Sequence, residues 1–178
     1  MTERDLLLLY RWLGEPHVRE FYDLEPTTFD GVKERYIGRI RGDDPTHPYI
    51  AYLDDAPLGY FQTYLISDHP SYAQHVDVGD NAAGVDMLIG EPAHVGCGRG
   101  PVALAQFVDE IVWPITGASV CWIGPATSNA RAIRAYEKAG FVYIKTVQVP
   151  GEPRPEYLMR LENPTEVIRI VDFLGRRS

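Results

Sequence analysis

The stretch GVDMLIGEPAHVGCGRGPVALAQFVDEIVW, residues 84–113, decides how the rest of the chain is read. Its apolar run, residues 85–89, has the length of a buried strand and carries one acid, Asp86, in its middle. Glycines follow at Gly96, Gly98 and Gly100. Next come Val102, Leu104, Ala105, Phe107, Val108, Ile111 and Val112, whose i, i+3, i+4 recurrence is helical. Pro101 suits a helix start, because backbone N–H groups of the first turn have no intrahelical partner. Strand, glycine loop and helix N-terminus form a cradle for an anion. Small residues admit the backbone to the ligand, and free N–H groups and the helix dipole both favour negative charge. Taken alone, the same pattern also fits a tight connection. It lacks the Lys-Ser/Thr ending of a P-loop, since Pro101 and Val102 follow Gly100. It also lacks the repeated βαβ series of a dinucleotide fold.

Outward from this stretch, the pattern gives an ordered series of elements. A helix is expected over residues 6–13, opened by Thr2-Glu3-Arg4-Asp5 in capping-box fashion and stopped near Gly14 and Pro16. Residues 17–25 form an aromatic and acidic connector, and a second helix is expected over residues 27–41. Strands at 48–53 and 58–66 flank an Asp54-to-Pro57 turn. Residues 68–83 read as a long polar loop without period, a kind of segment that is often functional. After the glycine-loop helix come a strand at 119–123 and a helix at 129–139, capped by Ser128 and stopped by Gly140. A closing hairpin (141–149 with 157–161) and a last helix at 166–174 complete the chain. The series describes an α+β protein of α/β/α sandwich type, with a central mixed, mostly antiparallel sheet and helices on both faces. At 178 residues it is expected to be a single domain spanning 1–178.

The net charge of −8 argues against nucleic acid or an anionic membrane as partner and favours a cationic ligand, provided the acids gather in a cleft. Cys97 and Cys121 give neither a disulfide framework nor metal-ligand spacing. No apolar run approaches the roughly 18 residues of a membrane span, and the N-terminus lacks a signal peptide, so the expected location is the cytoplasm.

The order of elements and two motifs resemble the GNAT N-acetyltransferase superfamily. One motif is Val95-Gly96-Cys97-Gly98-Arg99-Gly100, similar to the Gln/Arg-x-x-Gly-x-Gly/Ala loop that grips the pyrophosphate of acetyl-coenzyme A. Here Val95 stands where Gln or Arg is usual. The other is SNARAIRAYEKAGF, residues 128–141, which matches the family series closely. Within the superfamily the chain is most similar to aminoglycoside 6′-N-acetyltransferases, through MTERDL, PYIA, PLGYFQTY and GVDM as well. It departs from these relatives by starting directly at Met1-Thr2, so that their first strand is absent or the true start lies upstream, and by lacking tryptophans in the loop Asp68 to Asn81. It also has Gly124-Pro125-Ala126 where a position before the Ser-Asn motif is often acidic.

The resemblance implies acetyl-coenzyme A as cofactor and direct transfer to an amine in a ternary complex. Asp86 would position or deprotonate the amine, the alternative being a structural acid paired with an arginine. Tyr136 would donate to the leaving sulfur. Met87 and Leu88 would offer backbone groups to the pantetheine arm and acetyl oxygen. Val95, Gly96, Cys97, Gly98, Arg99, Gly100, Asn129, Ala132 and Lys138 would complete the coenzyme site. An aminoglycoside carries several ammonium groups, so acids and ring faces are expected around it. The candidates are Glu20, Phe21, Tyr22, Asp23, Glu25, Asp68, Asp86, Glu152 and Glu156. A monomer or homodimer is expected. Other amines (a siderophore hydroxylysine, a polyamine or a protein amine) and a non-catalytic coenzyme A- or aminoglycoside-binding module remain open at this point.

Overall fold

The computed structural model describes residues 1–22, 28–79 and 81–164. Chain order is α1 (Leu6–Leu13), α2 (Pro16–Arg19), α3 (Phe29–Arg41), β1 (His47–Leu53), β2 (Ala56–Leu65), α4 (Pro70–Val76), β3 (Ala82–Ile89), α5 (Arg99–Phe107), α6 (Trp113–Thr116), β4 (Val120–Ile123), α7 (Ala130–Lys138), β5 (Val142–Val147) and β6 (Glu156–Glu162). The expected last helix, 166–174, lies outside the described residues.

One six-stranded sheet runs β1-β2-β3-β4-β6-β5. All neighbours are antiparallel except β3 and β4. Alternation along the strands sorts side chains to two faces. Phe61, Ala83, Val85 and Met159 pack with Leu104, Val108 and Tyr136 beneath α5 and α7. Tyr60 and Leu88 point the other way and pack with Leu9, Trp12, Val32 and Tyr36 of α1 and α3. The sheet therefore lies between helices on both faces, as the residue pattern predicts.

The parallel β3–β4 contact is short, pairing only Ala82 with Val120, Ala83 with Cys121 and Gly84 with Trp122. Among the described residues no strand pairs with that edge of β3 beyond Gly84. Unpaired backbone groups in a sheet interior need another partner, so this parting of strands is where a ligand can enter.

Three local expectations are corrected. The 68–83 segment is not a featureless loop, because Pro70 opens the seven-residue α4. Proline is tolerated at a helix start, and Tyr72, Ala73 and Val76 pack against Ile66, Ala82 and Trp122 beneath it. The helix expected to run to Val112 widens at Val108–Val112 into a π turn before α6. Pro114 follows and lacks the N–H that would continue an α ladder. The cap of α7 is Asn129, not Ser128, since the Asn129 side chain accepts from Ala132 N–H at 3.1 Å. Among the described residues no helix is long and apolar enough to cross a membrane.

Candidate active site

The glycine loop enters α5 through Gly96 and Gly98, whose φ angles of 75° and 76° lie in the left-handed region that disfavours side chains. A Cβ at either would touch nothing within 4 Å, so backbone conformation rather than packing calls for glycine there. Gly98 is the N-cap residue, which leaves the first-turn N–H groups of α5 pointing outward without intrahelical partners. Pro101 withholds one donor from this turn, and Val95 brings no polar side chain.

A cavity of about 470 Å³ lies in front of this turn. Of the sequence-predicted coenzyme residues, Met87, Leu88, Val95, Gly96, Gly98, Gly100, Asn129, Ala132, Tyr136 and Lys138 all line it. Cys97 and Arg99 do not. The Cys97 thiol is exposed and donates weakly to Ala93 O, and the Arg99 guanidinium bonds His94. Asn129 commits its side-chain oxygen to the α7 cap and keeps only its amide N–H groups for a ligand. Tyr136 packs its ring among the core residues under α7 while lining the cavity. Burial and the Asp86 charge push its pKa up, so its phenol stays protonated. Arg131 and Arg134 also line the cavity and were not singled out in the sequence. Their spacing with Lys138 puts three cations on one side of α7, a signal legible in retrospect.

Asp86 faces the other side of the sheet, in the wall of a second cavity of about 210 Å³ shared with Tyr64, Tyr72, Gly84, Trp122, Gly124, Glu152 and Glu156. Its carboxylate is held by a network that the sequence did not reveal. Gln62 Oε1 accepts from the Tyr60 hydroxyl at 2.6 Å and from Arg39 Nη1 at 2.7 Å. Two donors on the oxygen fix which way the amide points, and Gln62 Nε2 donates to Asp86 Oδ2 at 2.7 Å. Burial pushes the Asp86 pKa up, opposed by the Gln62 hydrogen bond and the Arg39 and His69 charges. Among the described residues Asp86 is in no direct arginine ion pair; Gln62 stands between it and Arg39. Glu156 accepts from the Tyr72 hydroxyl at 2.8 Å. Burial pushes its pKa up to about 7, with Asp86 and Glu152 adding to the rise.

The remaining acceptor candidates scatter. Phe21 and Tyr22 line the larger cavity rather than the acidic one. The ring face of Phe21 is taken by Arg154, whose guanidinium carbon sits 5.5 Å from the ring centre, so that face is not open to a ligand cation. Glu20 is exposed and offers its backbone carbonyl to Arg154. Asp68 is exposed and lines neither cavity. Asp23 and Glu25 lie outside the described residues. Among the described residues, Asp86, Glu152 and Glu156 are the candidates that converge.

The two cavities adjoin along β3, where Gly84, Val85 and Asp86 line one, and Met87, Leu88 and Ile89 the other. This geometry suits an enzyme that carries an acyl group on a phosphorylated coenzyme and passes it to a cationic acceptor. The chain belongs to the GNAT acetyltransferase family: residues 1–149 match the acetyltransferase (GNAT) domain. It is an N-acetyltransferase that takes its acetyl group from acetyl-coenzyme A. It is 35% identical over 158 residues to aminoglycoside N(6′)-acetyltransferase type 1 of Klebsiella pneumoniae, across 86% of this chain and 77% of the relative. The crystal structure of aminoglycoside acetyltransferase AAC(6′)-Ib with coenzyme A and kanamycin superposes with a TM-score of 0.81 at 32% identity, covering 95% of this chain and 96% of that one. Spermidine N-acetyltransferase of Vibrio cholerae, at 17% identity and a TM-score of 0.70 over 94% of this chain and 95% of its own, shares the fold.

Proposed function

We propose that this chain, acting as one domain, is an aminoglycoside 6′-N-acetyltransferase that works in the cytoplasm by direct transfer from acetyl-coenzyme A. The observation that carries this reading is the acidic cavity holding Asp86, Glu152 and Glu156 directly beside the parting of β3 and β4. A polyamino sugar is the acceptor whose charge such a cavity complements. The curated and structural relatives whose names include aminoglycosides support the same acceptor class.

In this mechanism the coenzyme supplies an activated thioester. The glycine loop and the α5 N-terminus hold its pyrophosphate, and Arg131, Arg134 and Lys138 balance its remaining negative charge. Backbone groups in the Met87–Leu88 stretch of β3, beyond its parting from β4, orient the pantetheine arm and acetyl oxygen. Asp86 takes a proton from the 6′-ammonium group and orients the free amine. The amine nitrogen attacks the acetyl carbon, the N–C bond forms and the C–S bond breaks. Asp86 accepts the second nitrogen proton after passing the first to solvent, Tyr136 hydrogen-bonds and protonates the departing sulfur, and the proton that Asp86 then holds returns by way of solvent to the Tyr136 oxygen, restoring both groups. No covalent enzyme intermediate is involved, and Cys97 stays outside the chemistry.

The test is thiol release from acetyl-coenzyme A with kanamycin, beside an analogue bearing a hydroxyl in place of the 6′-amine and beside spermidine. Turnover with kanamycin and none with the hydroxyl analogue is the expected result. Turnover with spermidine alone would move the acceptor to linear polyamines and overturn the aminoglycoside reading.

A further inference from the structure

Gly124 follows directly on β4 and lines the acidic cavity, in the stretch just before the Ser-Asn motif. A Cβ placed on Gly124 would lie 2.5 Å from Glu156 Oε2 and 3.2 Å from its Cδ. Contacts that short do not occur, so the carboxyl group of Glu156 occupies the volume that a side chain at position 124 would need. Glu156 reaches this place from β6, held by the bridge between Ala126 and Glu156 and by Tyr157 N–H donating to Pro125 O at 2.8 Å. The Tyr72 hydroxyl, from the α4 helix that covers the cavity, donates to the same Oε2 at 2.8 Å. Position, exchange of volume and a dedicated donor all place one carboxyl group beside Asp86.

We propose that Glu156 is a specificity-determining residue for the acceptor: its carboxylate, delivered from β6 into the space left open by Gly124, binds a second ammonium group of the aminoglycoside while Asp86 handles the reacting amine. The inference rests on the aminoglycoside reading of the site. Among the described residues, the titratable groups facing Glu156 are Tyr64 from β2, Tyr72 from α4, Asp86 from β3 and Glu152 from the loop before β6. Burial and the neighbouring acids hold Glu156 half-protonated near neutrality in the free protein. A bound ammonium group favours the ionised form, so acceptor binding releases a proton from Glu156 and weakens as the pH falls below about 7.

The experiment measures KM for kanamycin and for acetyl-coenzyme A between about pH 6 and 8.5 in the wild type, Glu156→Gln, Gly124→Ala and the double variant Gly124→Asp/Glu156→Ala. Glu156→Gln keeps the shape and an acceptor for Tyr72. It is expected to raise the kanamycin KM about tenfold at pH 8, equivalent to about 1.4 kcal/mol of binding. It should also flatten the dependence of that KM on pH and leave the acetyl-coenzyme A KM unchanged. Gly124→Ala, whose methyl group displaces the carboxylate, should raise the same KM; thermal melting checks its fold, and the Glu156→Gln arm decides should it unfold. The double variant supplies an acid from the β4 side in place of the one lost from β6 and should recover most of the lost affinity. An unchanged kanamycin KM and pH profile in Glu156→Gln, with a wild type that turns kanamycin over, overturns this inference alone. A wild type that turns over no aminoglycoside overturns the acceptor reading and this inference with it.

Discussion

Asp86→Asn is expected to lower kcat/KM for kanamycin acetylation by about 10²- to 10³-fold at neutral pH, the range that a positioned acid–base group contributes. The substitution is nearly isosteric. Gln62 Nε2 can still donate to the Asn side-chain oxygen, because Tyr60 and Arg39 keep the Gln62 amide pointing the same way. What disappears is the negative charge and the proton acceptor facing the amine. Stability should move the other way. Asp86 has a folded-state pKa raised by burial, so the folded protein binds a proton that the unfolded chain has already lost above the ordinary carboxylate range. Stability from this group is therefore lost as pH rises through the window between the ordinary and raised values. Asn avoids the loss, so the variant should melt at the same temperature or higher at pH 7 and give a flatter stability profile across that acidic window. Steady-state kinetics with matched thermal melts check both halves. Full activity would remove Asp86 from the chemistry; lost activity with a lowered melting point would make its role structural.

Tyr136→Phe is expected to lower kcat by about 10²-fold, the lower range for loss of a proton donor in the transition state. Kanamycin KM and coenzyme A affinity should stay within about twofold, since an interaction confined to the transition state leaves ground-state binding alone. The ring fills the same space in the core beneath α7, and Phe keeps it. The phenol has a pKa pushed up by burial and by Asp86, so it is protonated throughout the working range, and the loss should be the same at every pH from about 6 to 9. A kcat that falls only at high pH, or a loss carried by KM, would assign Tyr136 to binding instead. The two variants together separate the functions: one should alter how rate depends on pH, the other only how high it reaches.

Much of the architecture is written locally. Apolar periodicity in residues 84–113, the left-handed glycines before α5 and the SNARAIRAYEKAGF segment determine a strand, an anion-binding helix start and a second helix facing it. These depend on chain neighbours a few residues apart, where propensity, capping and spacing act directly. The lining of the larger cavity was therefore legible: the residues expected to hold a coenzyme share it, apart from Cys97 and Arg99. The acids of the smaller cavity were less legible. From composition alone, Glu20, Asp68, Glu152 and Glu156 were equivalent acids, and nothing in their local sequence distinguishes an exposed acid from one in a cavity wall.

What only the tertiary structure decided is which distant groups meet. Strand alternation puts Asp86 on the face opposite the helix that carries Tyr136, and the early parting of β3 from β4 opens the way between them. Sheet register brings Gln62 alongside Asp86, and packing of α3 brings Arg39 to Gln62 from 23 residues away. The order β4-β6-β5 sets Glu156 over Gly124, and α4 brings Tyr72 to it across 84 residues. The sequence by itself determined the elements and the lining of the larger cavity, because both follow from contacts along the chain. Which acids share the smaller cavity is set by register and packing, which join residues that are remote in sequence.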